Sequence, residues 1–183
     1  MRRTRGREVA LQTLYQKELN PGVGARWINT FVRRRLKNTP QLLDFTKSLI
    51  AGVEEHKSEL DQRIQAISEN WRLDRMPPLD RNILRLGLYE IQFGGEETPP
   101  PVALDEAVEL AKRYGTDQSG KFVNGLLDQF LPGKPGALLK FDNNPEPAAD
   151  SVVSSDTSPE PPAETSTGEA DSSTSAATGE TGE

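Results

Sequence analysis

The stretch "RLDRMPPLDRNILRLGLYEIQF", residues 72–93, constrains the fold more than any other part of the chain. On a helical wheel Leu79, Ile83, Leu84, Leu86, Leu88, Ile91 and Phe93 fill most of the circumference, leaving a narrow polar strip of Arg81, Arg85, Tyr89 and Gln92. A helix apolar nearly all round is a buried one, so the rest of the chain must surround it. Pro77 and Pro78 fit its start, because proline is tolerated in a first helical turn and not beyond it.

The remaining ordered sequence repeats the same helical period, and no period-2 stretch is flanked by hairpin turns. The first segment sets Ala10, Leu11, Leu14, Tyr15 and Leu19 on one side and Gln12, Thr13 and Gln16 on the other, which predicts a helix ending near "NPGVG". A second helix is expected over "ARWINTFVRRRL", a third beyond Pro40 over "QLLDFTKSLIAGVEEH", and a fourth through "KSELDQRIQAISENW". After the central helix, "PPPVALDEAVELAKRYG" has a proline-led start, Gly115 at the C-cap position and a buried face of Ala103, Leu104, Ala107, Val108, Leu110, Ala111 and Tyr114. Glu109 and Arg113 are expected to pair on its outer face. The last segment, "SGKFVNGLLDQFL", turns Phe122, Val123, Leu126, Leu127, Phe130 and Leu131 to one face before Pro132-Gly133 stops it. The fold class is all-α, with about seven helices.

With 183 residues, 34% of them hydrophobic, the chain supports one core of ordinary size and an appendage. The helical domain is expected over 1–135 and a tail over 136–183. Up to residue 140 there are 22 Lys+Arg against 18 Asp+Glu; after it there are none against 10, so the overall −6 belongs to the tail. That tail has almost no bulky apolar residue after Phe141 and is expected to be disordered. The first 40 residues carry ten basic residues and two acids, Glu8 and Glu18, a local +8.

Cysteine is absent and His56 is the single histidine, which leaves no thiol nucleophile, no His-clustered metal site and little room for a catalytic triad. Enzymatic chemistry and a resident cofactor are not expected. No apolar run reaches the roughly 18 residues that span a bilayer, so a soluble, cytoplasmic protein without a signal peptide is expected.

Three places invite a functional reading. Arg2, Arg3, Arg5 and Arg7 open the first helix, where cations oppose the helix dipole and do not stabilise it. Arginine forks beside free N–H groups suit phosphate, while a solvated terminus and a transit peptide are the other readings, with Glu8 and Glu18 against the last. In "TDQSGKFVNG", Thr116, Asp117 and Ser119 offer N-cap oxygens and Lys121 adjoins Phe122 at a helix start, a combination suited to phosphate contact and base stacking or to plain core packing. Gly125 inside that helix suggests close approach of another backbone. Arg81 and Arg85, one turn apart on a buried helix, fit structural ion pairs or a partner-protein surface.

The segments "RTRGREVALQTLYQKEL", "LDRNILRLGLYEI", "VALDEAVELAKRYG" and "GKFVNGLLD", in this order and spacing, resemble the bacterial transcription antitermination factor NusB family over about residues 3 to 131. The resemblance implies an all-helical, non-enzymatic protein that binds boxA RNA of nascent ribosomal RNA leaders. Its implied partners are the small-ribosomal-subunit protein NusE and the RNA polymerase antitermination complex, with a homodimer as an option for the free protein. The family's RNA-contacting positions fall on Arg3, Arg5, Arg7, Gln118, Lys121 and Phe122, and the NusE-facing ones on Tyr15, Leu19 and Asp80.

This chain departs from the family pattern at Thr4, often arginine, and at Gln118, in some relatives an acid. The acidic tail is no part of that pattern and reads either as a tether or as a segment that folds back on the basic N-terminus and competes with RNA. An rRNA-cytosine methyltransferase, which carries such a module before a catalytic domain, is not expected, because the chain has no cysteine nucleophile and its folded part is expected to end near 135. A helical interaction module without RNA binding is the alternative from another class.

Overall fold

Three helices begin on a proline, and none of these starts has a side-chain cap. Proline at the first helical position has no N–H to leave unsatisfied, and its φ already suits a helix. Pro40, Pro78 and Pro100 thus open α3 (Pro40–Glu55), α5 (Pro78–Phe93) and α6 (Pro100–Tyr114). The others are α1 (Arg2–Leu19), α2 (Ala25–Arg35), α4 (Lys57–Ile67) and α7 (Ser119–Asp128). Short 3₁₀ turns lie at Leu73–Arg75, Gly95–Glu97 and Pro135–Leu138. The computed structural model describes residues 2–37, 39–68 and 71–139, and among these there are seven α-helices and no strand, as the periodicity predicts. No helix among the described residues is long and apolar enough to cross a membrane.

Helix α5 is the central element and packs against α1, α3, α4, α6 and α7. Ile83, Leu84, Leu86 and Leu88 on it are essentially inaccessible, each stabilising the fold by roughly 1.5–3 kcal/mol through burial. Its polar strip is tied to neighbouring helices. Arg85 forms a two-point pair with Asp61 of α4, Nε to Oδ1 at 2.6 Å and Nη2 to Oδ2 at 2.8 Å. Arg81 donates from Nε to Oε1 of Glu18 on α1 at 2.8 Å. Both arginines are therefore held by acids distant in sequence.

Two expectations about packing need correction. Thr13, placed on the outer side of α1, is fully buried and returns its hydroxyl to the Val9 carbonyl at 2.8 Å, while Leu19, placed in the core stripe, is 49% exposed. A buried threonine satisfies its own hydroxyl within the helix, so it can face inward where polarity alone puts it outside. Arg113 does not pair with Glu109, which Lys112 takes at 2.7 Å.

The packed body also continues past residue 135. Gly136 is buried, its carbonyl accepts a 3.1 Å hydrogen bond from Arg63 Nη2, and Leu139 packs against the core. Of the tail expected over 136–183, residues 136–139 thus belong to the packed body, and residues 140–183 lie outside the described residues.

Candidate nucleic-acid interface

Arg3, Arg5 and Arg7 do not share one environment. Arg7 is 3% exposed, and its guanidinium donates from Nε and Nη2 to the two carboxylate oxygens of Glu90 on α5 at 2.8 Å each. Glu106 of α6 stands 3.5 Å from Nη1, and Thr98 accepts at 3.4 Å. Burial pushes the Glu90 carboxyl up from its ordinary range; the hydrogen bonds and charge of Arg7 pull it down without cancelling that effect, and Glu106 adds to the rise. The assignment of Arg7 to RNA is thus corrected: its guanidinium is consumed inside the protein.

Arg3 and Arg5 lie at the surface. Arg3 donates to the Glu97 carboxylate at 2.6 Å and lies over the Phe45 ring at 5.1 Å. Arg5 donates to Oε2 of Glu8 at 2.6 Å, and Arg113 Nη1 of α6 takes the other oxygen of the same carboxylate. Glu8 itself is buried, so it orients two outward guanidinium groups from two helices. Burial, then the Glu8 charge, pushes the Tyr114 phenol up, keeping it neutral beside them. Gly6 allows this arrangement: a Cβ there would stand 2.9 Å from both Phe45 Cδ1 and Thr46 Oγ1, so α1 lies directly on α3.

The second candidate stretch reaches the same place from the other side of α6. A Cβ at Gly120 would stand 2.8 Å from Lys112 Cγ, so the start of α7 lies on the aliphatic stem of Lys112, next to Arg113. The two motifs, more than a hundred residues apart, meet at the last turn of α6. Gln118 and Lys121 are exposed there, and Phe122 is half-buried. Phe122 meets Trp71 edge to face, centroids 5.9 Å apart at 64°, and Trp71 is 62% exposed.

Ser119 does not cap α7. It is buried and accepts a 2.9 Å hydrogen bond from the Thr116 backbone N–H, which pins the loop between α6 and α7. Gly125 does not mark a close backbone approach either; the space around it is open. Guanidinium and ammonium groups beside exposed aromatic faces are what single-stranded nucleic acid engages, the cations by phosphate contact and the rings by stacking.

On the opposite end of α1, Tyr15 is half-buried and Leu19 exposed, while Asp80 is only 6% exposed in the first turn of α5. Its Oδ1 has no hydrogen-bond partner among the described residues. Arg81 and Asn82 both donate to Glu18, which lays the start of α5 beside the last turn of α1 and places Leu19 and Asp80 in one region. Burial raises the Glu18 pKa, but the Arg81 hydrogen bond, the Arg85 charge and the Asn82 hydrogen bond together hold it below the usual carboxylate value.

The model of the NusB family matches residues 4–132, well over half of the chain. The chain belongs to the NusB family. The transcription antitermination protein NusB of Bdellovibrio bacteriovorus is 41% identical over 127 residues, covering 69% of this chain and 93% of the relative. That of Myxococcus xanthus is 44% identical over 131 residues, 70% of this chain and 92% of its own. Among solved structures, NusB of T. maritima matches with a TM-score of 0.64 at 35% identity, covering 72% of this chain and 92% of that one. A structure of antitermination factors NusB and NusE in complex with dsRNA matches at 0.61 and 28% identity, over 69% and 93%.

Within this NusB fold, sequence reasoning missed Arg113 and Trp71. Arg113 was assigned to an i, i+4 pair because helical spacing is the only partner rule visible in one dimension. Trp71 had a usable signal, a lone aromatic in a polar connection after "SEN".

Proposed function

We propose that this protein is a non-enzymatic RNA-binding transcription antitermination factor. In this reading it binds boxA-type RNA of nascent ribosomal RNA leaders together with NusE and promotes read-through by RNA polymerase in the cytoplasm. The observation that carries the reading is the convergence of the N-terminal arginines and the start of α7 on the last turn of α6. A NusB–NusE pair holding RNA in a solved relative supports it.

The RNA grip consists of Arg3, Arg5, Gln118, Lys121 and Phe122, extended by Arg113 and Trp71. Arg3 exchanges Glu97 for phosphate, since an exposed ion pair contributes little and is readily replaced, while Arg5 stays anchored on the buried Glu8 and offers its remaining N–H groups to phosphate. Lys121 supplies a further phosphate contact, and Phe122 with Trp71 offers stacking surface. Tyr15 and Leu19 face NusE, with Asp80 beneath them.

The test is a titration of the full chain, alone and with NusE, against boxA RNA and a scrambled control at several salt concentrations. The expected result is a preference for boxA that NusE sharpens, an affinity that falls with salt, and loss of binding in the Arg3→Ala/Arg5→Ala variant. Equal, salt-insensitive behaviour toward both RNAs would leave a helical protein-interaction module with the family fold and no RNA.

A further inference from the structure

Helix α2 plays no part in the interface described above, yet it is the most basic element in the chain. No acid occurs between Glu18 and Asp44, while Arg26, Arg33, Arg34, Arg35 and Lys37 fall in that span and are all exposed. None of these five forms an ion pair among the described residues. Val32 is the one fully buried residue of α2, with Ile28 and Phe31 partly buried against the core beside it, so the rest of the helix circumference faces outward.

A stack runs from the core-facing edge of α2 to its exposed side, with Phe31 packed against the core and Trp27 in water. The Trp27 and Phe31 rings are nearly parallel, 9° apart with centroids at 5.0 Å, and the Arg35 guanidinium lies over Phe31 at 5.2 Å. The spacing of four residues places all three on one helix face. Trp27 remains 43% exposed, and beside it Gly22 and Gly24 leave open space.

Local stability accounts for part of this pattern. Arginines at the last turn complement the helix dipole, and an aromatic pair four residues apart supports an isolated helix. Neither effect explains Arg26 in the first turn, where a cation opposes the dipole, nor a tryptophan left half in water. Planar faces and unpaired cations on a continuous surface match the chemistry of single-stranded nucleic acid: stacking is indifferent to sequence, and the cations follow the backbone.

The surface between α2 and the N-terminus is also grooved. A cleft of about 630 Å³, whose lining includes Arg3, Thr39, Gln41 and Phe45 together with the acids Asp44 and Glu97, runs between Arg3 and the start of α3.

We propose that α2 is a second contact for single-stranded RNA, with a base stacked on Trp27 and phosphates held by Arg26 and Arg33–Arg35. It rests on the RNA-binding reading and lengthens its track by one helix.

The test uses the full chain and a uridine-rich RNA of about 20 nucleotides bearing 4-thiouridine, with cross-linked peptides mapped after irradiation. Cross-links within residues 26–37 are expected. Trp27→Ala lowers affinity about tenfold, Trp27→Phe retains most of it, and the Arg33→Gln/Arg34→Gln/Arg35→Gln variant reduces the salt slope by about 2. A melting curve for each variant separates misfolding from lost contact, because the three arginines are exposed.

Cross-links confined to α1 and α7, with unchanged affinity and slope in the α2 variants, overturn this inference and leave the main reading intact. No RNA binding by any form overturns both. Hydrogen exchange in α2 that changes on deletion of residues 141–183 and not on addition of RNA overturns it too, and makes α2 a dock for the acidic tail.

Discussion

Arg7 and Glu90, 83 residues apart in sequence, meet through two parallel hydrogen bonds of 2.8 Å with both side chains 3% exposed. This pair joins the first turns of α1 to the central helix and decides which arginines are available to a ligand. Arg7→Ala leaves a buried carboxylate uncompensated and is expected to cost about 3–5 kcal/mol in urea unfolding. Arg3→Ala, at an exposed pair, should cost under about 1 kcal/mol, and Arg5→Ala should cost more than that, because it takes one of two cations from the buried Glu8. Arg7→Met with Glu90→Leu should recover most of the loss, since two apolar groups need no compensation.

At the other edge of the interface, Trp71 and Phe122 are expected to act as one stacking surface. Trp71→Ala should weaken RNA binding by about 1–3 kcal/mol, with little change in melting temperature because the ring is mostly in water. Lys121→Gln should act differently: a modest loss for every RNA sequence and a salt slope reduced by about 0.7. Titrations at three or more salt concentrations distinguish the two.

Glu18 ties the end of α1 to α5, and its folded-state pKa lies below its unfolded value. Its ionisation therefore contributes stability that is fully present above the unfolded value near 4.5 and is lost as pH falls through the lower folded value. Thermal melts of the wild type and Glu18→Gln from about pH 7 to about pH 3 should converge at the acid end. At neutral pH the variant should be less stable by about 2 kcal/mol, because Arg81 and Arg85 lose a shared acceptor. Parallel curves across the whole range would show that Glu18 does not titrate with folding.

Two glycines should respond in opposite directions to the same change. Gly125→Ala meets open space inside α7 and is expected to stabilise by about 0.5–1 kcal/mol. Gly6→Ala forces Phe45, Thr46 and Leu42 apart from α1 and should cost about 1–3 kcal/mol. Chemical denaturation of both variants checks the pair.

Much of the fold was legible in one dimension because its causes are local. Proline positions, helical periodicity and the apolar circumference of α5 act over a few residues, and they placed seven helices close to their observed limits, except that the fourth, expected through Trp71, ends at Ile67. The RNA candidates Lys121 and Phe122 were legible for the same reason, as a cation and a ring at a helix start.

Pairing across helices was a different matter. Arg3, Arg5 and Arg7 are the same residue type at alternate positions, and nothing in their spacing tells that one of them meets Glu90 while another shares Glu8 with Arg113. A salt bridge depends on where two helices cross, which the sequence encodes only through the whole core. Leu19 and Thr13 exchanged their expected places for a related cause: whether one turn of a helix is covered depends on what packs over it. The sequence by itself determined an all-helical body around α5 and a basic front end. Tertiary structure alone decided which of those charges face water, because burial and long-range ion pairing are properties of the assembled core.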